Sequence, residues 1–151
     1  MGNLFEKPIT NYQDFRKAII ERDHNCIITR AHAAECTLTY IIPNLENQFD
    51  TSNAILLNRI LHKSFNEGLF SIHPLKKIMV VRKDVTNVLI REYENNEVLD
   101  VKPETIINLK KHFLNTHGRN FDTLVELSHI PNHQPVKKTG FSIMEFIGYN
   151  N

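Results

Sequence analysis

Between residues 53 and 74 the chain reads NAILLNRILHKSFNEGLFSIHP, and no other stretch limits the fold as tightly. Asn58 stands where an asparagine caps a helix, Arg59 to about Asn66 form that helix, and Gly68 is placed to take the left-handed conformation that ends it. Upstream, residues 26–29 (CIIT) and 37–43 (TLTYIIP) are rich in β-branched side chains and separated by a short polar stretch, which predicts the two strands of a hairpin. Two strands followed by a helix make a ββα unit.

Around that unit the pattern predicts an α+β fold with an N-terminal helix, additional strands and C-terminal helices. Asn11 with Asp14 three residues later opens the first helix, and Phe15, Ala18 and Ile19 recur at helical spacing up to about Arg22. Residues 69–72, 78–81 and 85–90 are short apolar runs bounded by breakers, predicting three more strands that extend or cover the sheet. Pro103 suits the first turn of a helix that carries Ile106, Leu109 and Phe113 and stops at Gly118. Asn120 opens another, with Phe121, Leu124 and Val125, ending before Pro131.

With 151 residues, 41% hydrophobic and 23% charged, the composition predicts a single domain, 1–151, with a core unit at about 24–74 and a C-terminal extension over 75–151. No run approaches a membrane span, and MGNLFEKPIT lacks the apolar segment of a signal peptide, so the expected location is intracellular, cytoplasmic or nuclear, with no membrane partner. Two cysteines are too few for a disulfide scaffold or a four-thiolate zinc site. Cys26 and Cys36 are expected to be buried thiols. A net charge of +1 gives no whole-molecule field, so any nucleic-acid binding must rest on a local cluster. Pairs such as Lys76/Lys77, Arg82/Lys83 and Lys110/Lys111 read as solubilising charge.

The segments CIIT (26–29), ECTLTYIIP (35–43) and FDTSNAILLNRILHKSFNEGLFSIHP (49–74) resemble the HNH endonuclease family, of the type found in large DNA viruses and bacteria, whose members run C-x-I-T, A-H-I-I-P, N-G-L-L-L, then L-H-x-x-F-D-x-G-L-F-x-I. Asn53-Ala54-Ile55-Leu56-Leu57 matches the asparagine block. Leu61-His62 with Phe65-Asn66-Glu67-Gly68-Leu69 matches the final histidine block. The likeness covers about a third of the chain and implies a ββα-metal fold, phosphodiester hydrolysis with a divalent metal such as Mg²⁺ or Mn²⁺, and nucleic acid, most simply double-stranded DNA, as partner.

In the family a histidine on the strand is the general base, the residue before it a metal ligand, the asparagine orients the base, and the helix histidine is a second ligand, assisted one turn later. Carried over, these positions are Tyr40 as base, Thr39 as first ligand, Asn53 as orienting residue, His62 as ligand and Asn66 as its helper. The departure is at the first two. A free tyrosine ionises near pH ~10, so about one molecule in a thousand is phenolate at pH 7, a handicap of roughly 4 kcal/mol. Thr39 offers a neutral oxygen, and Asn66 stands where the family prefers Asp. His24, His32, Glu46 and Asp50 are nearby donors that could substitute. Alternatively Tyr40 is an amphipathic strand residue filling the space of a lost histidine, and Asn53 bonds the backbone of the adjoining turn. Arg30, Arg59 and Lys63 are the candidate phosphate contacts, the last two at i and i+4 on the helix. Two readings remain open: an endonuclease with altered catalytic residues, or an inactive HNH-fold protein that binds DNA or serves a structural or packaging role.

Overall fold

The computed structural model describes residues 8–98, 101–118, 127–128 and 130. Helix α1 spans Tyr12–Asp23, and the Asn11 side chain accepts the Asp14 N–H as expected. Strand β1 (Cys36–Tyr40) pairs antiparallel with β2 (Ala54–Asn58), Cys36 facing Asn58 and Thr39 facing Ile55. Helix α2 (Arg59–Asn66) follows β2 directly, with the Asn58 side chain accepting the Leu61 N–H at 2.9 Å. Gly68 follows at φ +72. The ββα unit is therefore present, but its strands are β1 and β2, joined by the long connection 41–53.

The expectation that residues 26–29 form a strand is corrected. Cys26 N–H donates to Ala31 O, Arg30 N–H returns to Cys26 O, and Thr29 N–H donates to the Cys26 sulfur, so the segment closes on itself as a turn. Only Ile27 N–H reaches β2, at Leu56 O. Its bulky side chains are buried for their apolar area, while local side-chain bonds claim the backbone; strand propensity is too weak to oppose that. Both cysteines are buried free thiols.

All of Ala54–Leu57 is buried, with both α1 and α2 packed on β2. A continuous apolar run is what a strand covered on both faces needs. Phe15, Ile19, Leu56, Leu61, Phe65, Phe70 and Met79 fill the main core.

Strands β3 (Phe70–His73) and β4 (Ile78–Val81) form a separate antiparallel pair rather than extending the β1–β2 sheet. The run 85–90 is not a strand. Asn87 caps one helical turn, α3 (Val88–Arg91), and Arg91 donates to the carbonyls of Arg82, Lys83 and Val85. Those bonds need the chain to curl back, which an extended strand cannot do. Helix α4 (Ile106–His117) packs on β3 and ends at Gly118 as predicted. The helix expected from Asn120 with Phe121, Leu124 and Val125 lies outside the described residues, of which Leu127 and Ile130 join Phe113 and Leu114 in a second, smaller core. The mixture of helices and antiparallel strands is the α+β class expected.

Candidate functional site

The site forms where β1 meets α2. Alternation along β1 turns Thr39 inward beneath α2 and Tyr40 the other way, so Thr39 is buried and Tyr40 half-buried. His62 lies at the middle of α2 with Asn66 one turn on, on the same face. The Thr39 hydroxyl donates to Thr37 O at 3.1 Å, so its oxygen accepts from His62 Nδ1 at 2.9 Å. That fixes the proton on Nδ1 and leaves Nε2 to accept from Asn66 Nδ2 at 3.3 Å. One directed chain runs from Asn66 through His62 and Thr39 to the strand backbone. Partial burial holds the His62 pKa below the ordinary imidazole value, so the ring is neutral at neutral pH.

Asn53 serves the loop beside them. Its side-chain oxygen accepts Ile42 N–H at 2.8 Å, its nitrogen donates to Ile42 O at 2.8 Å, and its own carbonyl accepts Ile41 N–H at 2.9 Å. Both ends of this buried carboxamide are thus engaged by the connection leaving β1. Tyr40 stacks on Phe15 with ring centroids 5.9 Å apart, and burial, with a smaller effect of Tyr12, pushes its phenol above the usual range. Both observations run against a phenolate base.

Tyr40, Asn53, His62 and Asn66 open onto one cleft of about 800 Å³. Its far wall comes from outside the ββα unit: Arg82 after β4, and His112, Asn115 and Thr116 on α4. His112 stacks flat on Phe65, centroids 3.7 Å apart, and its ring nitrogens contact Ser71 Oγ at 2.6 Å and Phe65 O at 3.3 Å. A carbonyl can only accept, so Nε2 carries the proton and Nδ1 accepts from the serine hydroxyl. Burial pushes the His112 pKa down to about 4. Neither imidazole of the cleft is charged at neutral pH.

Of the residues read from sequence, Thr39, His62 and Asn66 are brought into direct contact, and Tyr40 and Asn53 share their cleft. Arg30, Arg59 and Lys63 are exposed but do not line it; Arg59 borders a separate shallow hollow beside Ala34 and Ile60. The alternative donors do not enter either. His32 and Asp50 accept backbone N–H groups in short turns, and neither they nor His24 nor Glu46 lines the cleft. Arg82 and His112 were not singled out in the sequence. Arg82 stands beside Lys83 like any surface pair, and His112 meets Phe65 only through packing across 47 positions, so no local pattern marks either.

A divalent cation at His62 would meet a hydroxyl and a carboxamide, both neutral, and each already bonded to the ring. Hard cations such as Mg²⁺ take carboxylate oxygens, and the trio holds none. Among the described residues no three His, Cys, Asp or Glu side chains converge as a metal would require. The donor set does not fit the metal of an active family member.

Residues 26–73 match the HNH endonuclease family profile. No curated protein matches the chain. Among the described residues, no helix is long and apolar enough to cross a membrane.

Proposed function

From a segment of HNH endonuclease kind whose metal-holding positions are neutral, we propose that this protein binds nucleic acid, most simply double-stranded DNA, through its ββα unit without cutting it by the family's metal-dependent route. The observation that carries this reading is the chain Asn66–His62–Thr39–Thr37, which engages both ring nitrogens of the one remaining histidine of the motif. Arg59 and Lys63, a helical turn apart on the exposed side of α2 and with no ion pair among the described residues, are the phosphate contacts of this reading, and Arg30 at the turn before β1 is a third. Each would neutralise backbone charge without reading bases. Thr39 and Asn66 hold the imidazole in one tautomer, and Asn53 holds the loop 41–42 against the site.

The second reading, hydrolysis with altered residues, has one feature in its favour. The Asn66 contact to Nε2 is long at 3.3 Å, so a metal or water could displace it at small cost. Supercoiled plasmid incubated with the full chain and Mg²⁺, Mn²⁺ or Ni²⁺ decides between the two. We expect no nicking, and metal-dependent nicking abolished by His62→Ala would establish the second reading. The combined change Thr39→Asp, Tyr40→His and Asn66→Asp restores the family's ligands and base; we expect it to gain metal binding by calorimetry and then nicking. Labelled duplex titrated with the wild-type chain at rising salt tests binding, which should weaken steeply as counterions compete.

A further inference from the structure

We propose that Arg82 is a further phosphate-binding residue, which carries the nucleic-acid track out of the HNH segment and across the cleft into the C-terminal part of the chain. This rests on the nucleic-acid reading above. Arg82 faces the site wall formed by His62 and Asn66, and its position is fixed by its own backbone. Arg82 N–H donates to Leu69 O at 2.9 Å, and its carbonyl accepts from Arg91 at 2.7 Å. Arg91 also grips Lys83 O and Val85 O, so the single turn α3 serves as a clamp on the segment that presents Arg82.

The guanidinium is oriented as well. Nε and Nη2 donate to the two Asp84 carboxylate oxygens at 3.0 and 2.6 Å, while Nη1 makes only a 3.4 Å contact with Gly68 O. The side chain stays 40% exposed. Nη1 is therefore the donor left for a phosphate oxygen, on a group already held in place, which lowers the ordering cost of binding. Of the other basic residues, Arg59 stands at the far end of α2 and Lys63 one turn along it. Arg59 begins α2, Gly68 lies just beyond its end, and eight residues at 1.5 Å each span roughly 12 Å, the length of about three phosphates of one strand. His62 lies between. Among the described residues Glu67 is the one carboxylate on the cleft lining, and it is exposed, so it is well screened by solvent.

An alternative assignment makes Arg82 and Asp84 a structural pair only. Duplex binding by fluorescence anisotropy at low and rising salt, with the full chain, separates the two. Arg82→Ala should weaken binding about 5- to 20-fold and reduce the salt dependence by about one phosphate contact. Arg82→Lys, which keeps charge and fold, should recover part of the loss. Asp84→Asn, which removes the competing carboxylate, should bind at least as tightly as wild type. If Arg82→Ala binds like wild type while Arg59→Ala with Lys63→Ala does not, Arg82 has no such role. Equal weakening by Asp84→Asn and Arg82→Ala would also overturn it, in favour of the structural pair. If the wild-type chain retains no duplex even at low salt, the underlying nucleic-acid reading fails and takes this role with it.

Discussion

Two polar clusters, one between α1 and β2 and one between β1 and α2, use their residues in opposite ways. In the first, Arg22 grips the buried Asp23 through two bonds of 2.8 and 3.1 Å and reaches Glu104 at 3.1 Å, while donating to Thr51 O and Ala54 O at 2.6 Å each. Asp23 in turn accepts Leu56 N–H. This charged network ties α1, β2 and the turn before α4 together. In the other cluster, between β1 and α2, Thr39, His62 and Asn66 are all neutral. Formal charge is concentrated in the first cluster and absent from the second. The difference teaches that one strand can be anchored by charge in one cluster and carry a wholly neutral hydrogen-bonded chain in the other, so the two should answer substitution differently.

The contrast predicts unequal responses to substitution. The largest belongs to Arg22→Ala, which leaves the Asp23 carboxylate buried and unpaired and should cost about 3–5 kcal/mol in urea unfolding. A cost as small as that of a surface change would mean that the network is not the anchor described here.

Acidification comes next, because it forces charge into the neutral cleft. Unfolded His112 takes up its proton near its ordinary 6.5, folded His112 only near 4, so the unfolded state binds more protons between these values. Stability is complete above about pH 6.5 and is lost as pH falls toward 4, by on the order of 3 kcal/mol. Burial lowers His62 and His117 in the same direction. His112→Gln keeps a donor and an acceptor but cannot titrate, so its unfolding free energy should vary less over that range; an unchanged acid limb would place the loss elsewhere.

Smaller again is Asn53→Ala. It removes both side-chain bonds to Ile42 and should cost roughly 1–3 kcal/mol, with faster hydrogen exchange at the Ile42 amide as the local readout. The smallest effect is expected at the site itself. Asn66→Ala, exposed and long-bonded, should change stability by less than about 0.5 kcal/mol, while the NMR signals of the His62 ring shift as Nε2 loses its donor. A large destabilisation there would show that the neutral array, too, anchors the fold.

Much of this was legible in local residue order. Asn11, Asn58 and Gly68 marked helix ends because capping is a contact between near neighbours, whereas the strand Ala54–Asn58 was not read from its order, since a short unbroken apolar run fits a buried strand and a buried helix alike. The motif likewise placed Thr39, His62 and Asn66 together, since β1, β2 and α2 follow one another closely. Where the reading failed, a competing bond came from side chains that propensity does not count. Cys26 and Thr29 turned CIIT back on itself, and Arg91 curled the run that looked like a strand at 85–90.

What the sequence alone could not determine is the far wall of the cleft. Arg82 and His112 stand next to it only because β4 and α4 pack against β3 and the end of α2, contacts made across dozens of residues with no periodic trace in the chain. The amino-acid order also names which side chains stand at the motif positions Thr39, Tyr40, His62 and Asn66. Only the folded arrangement decides that Thr39, His62 and Asn66 bond in one chain, because hydrogen-bond direction depends on where each proton's acceptor lies in space.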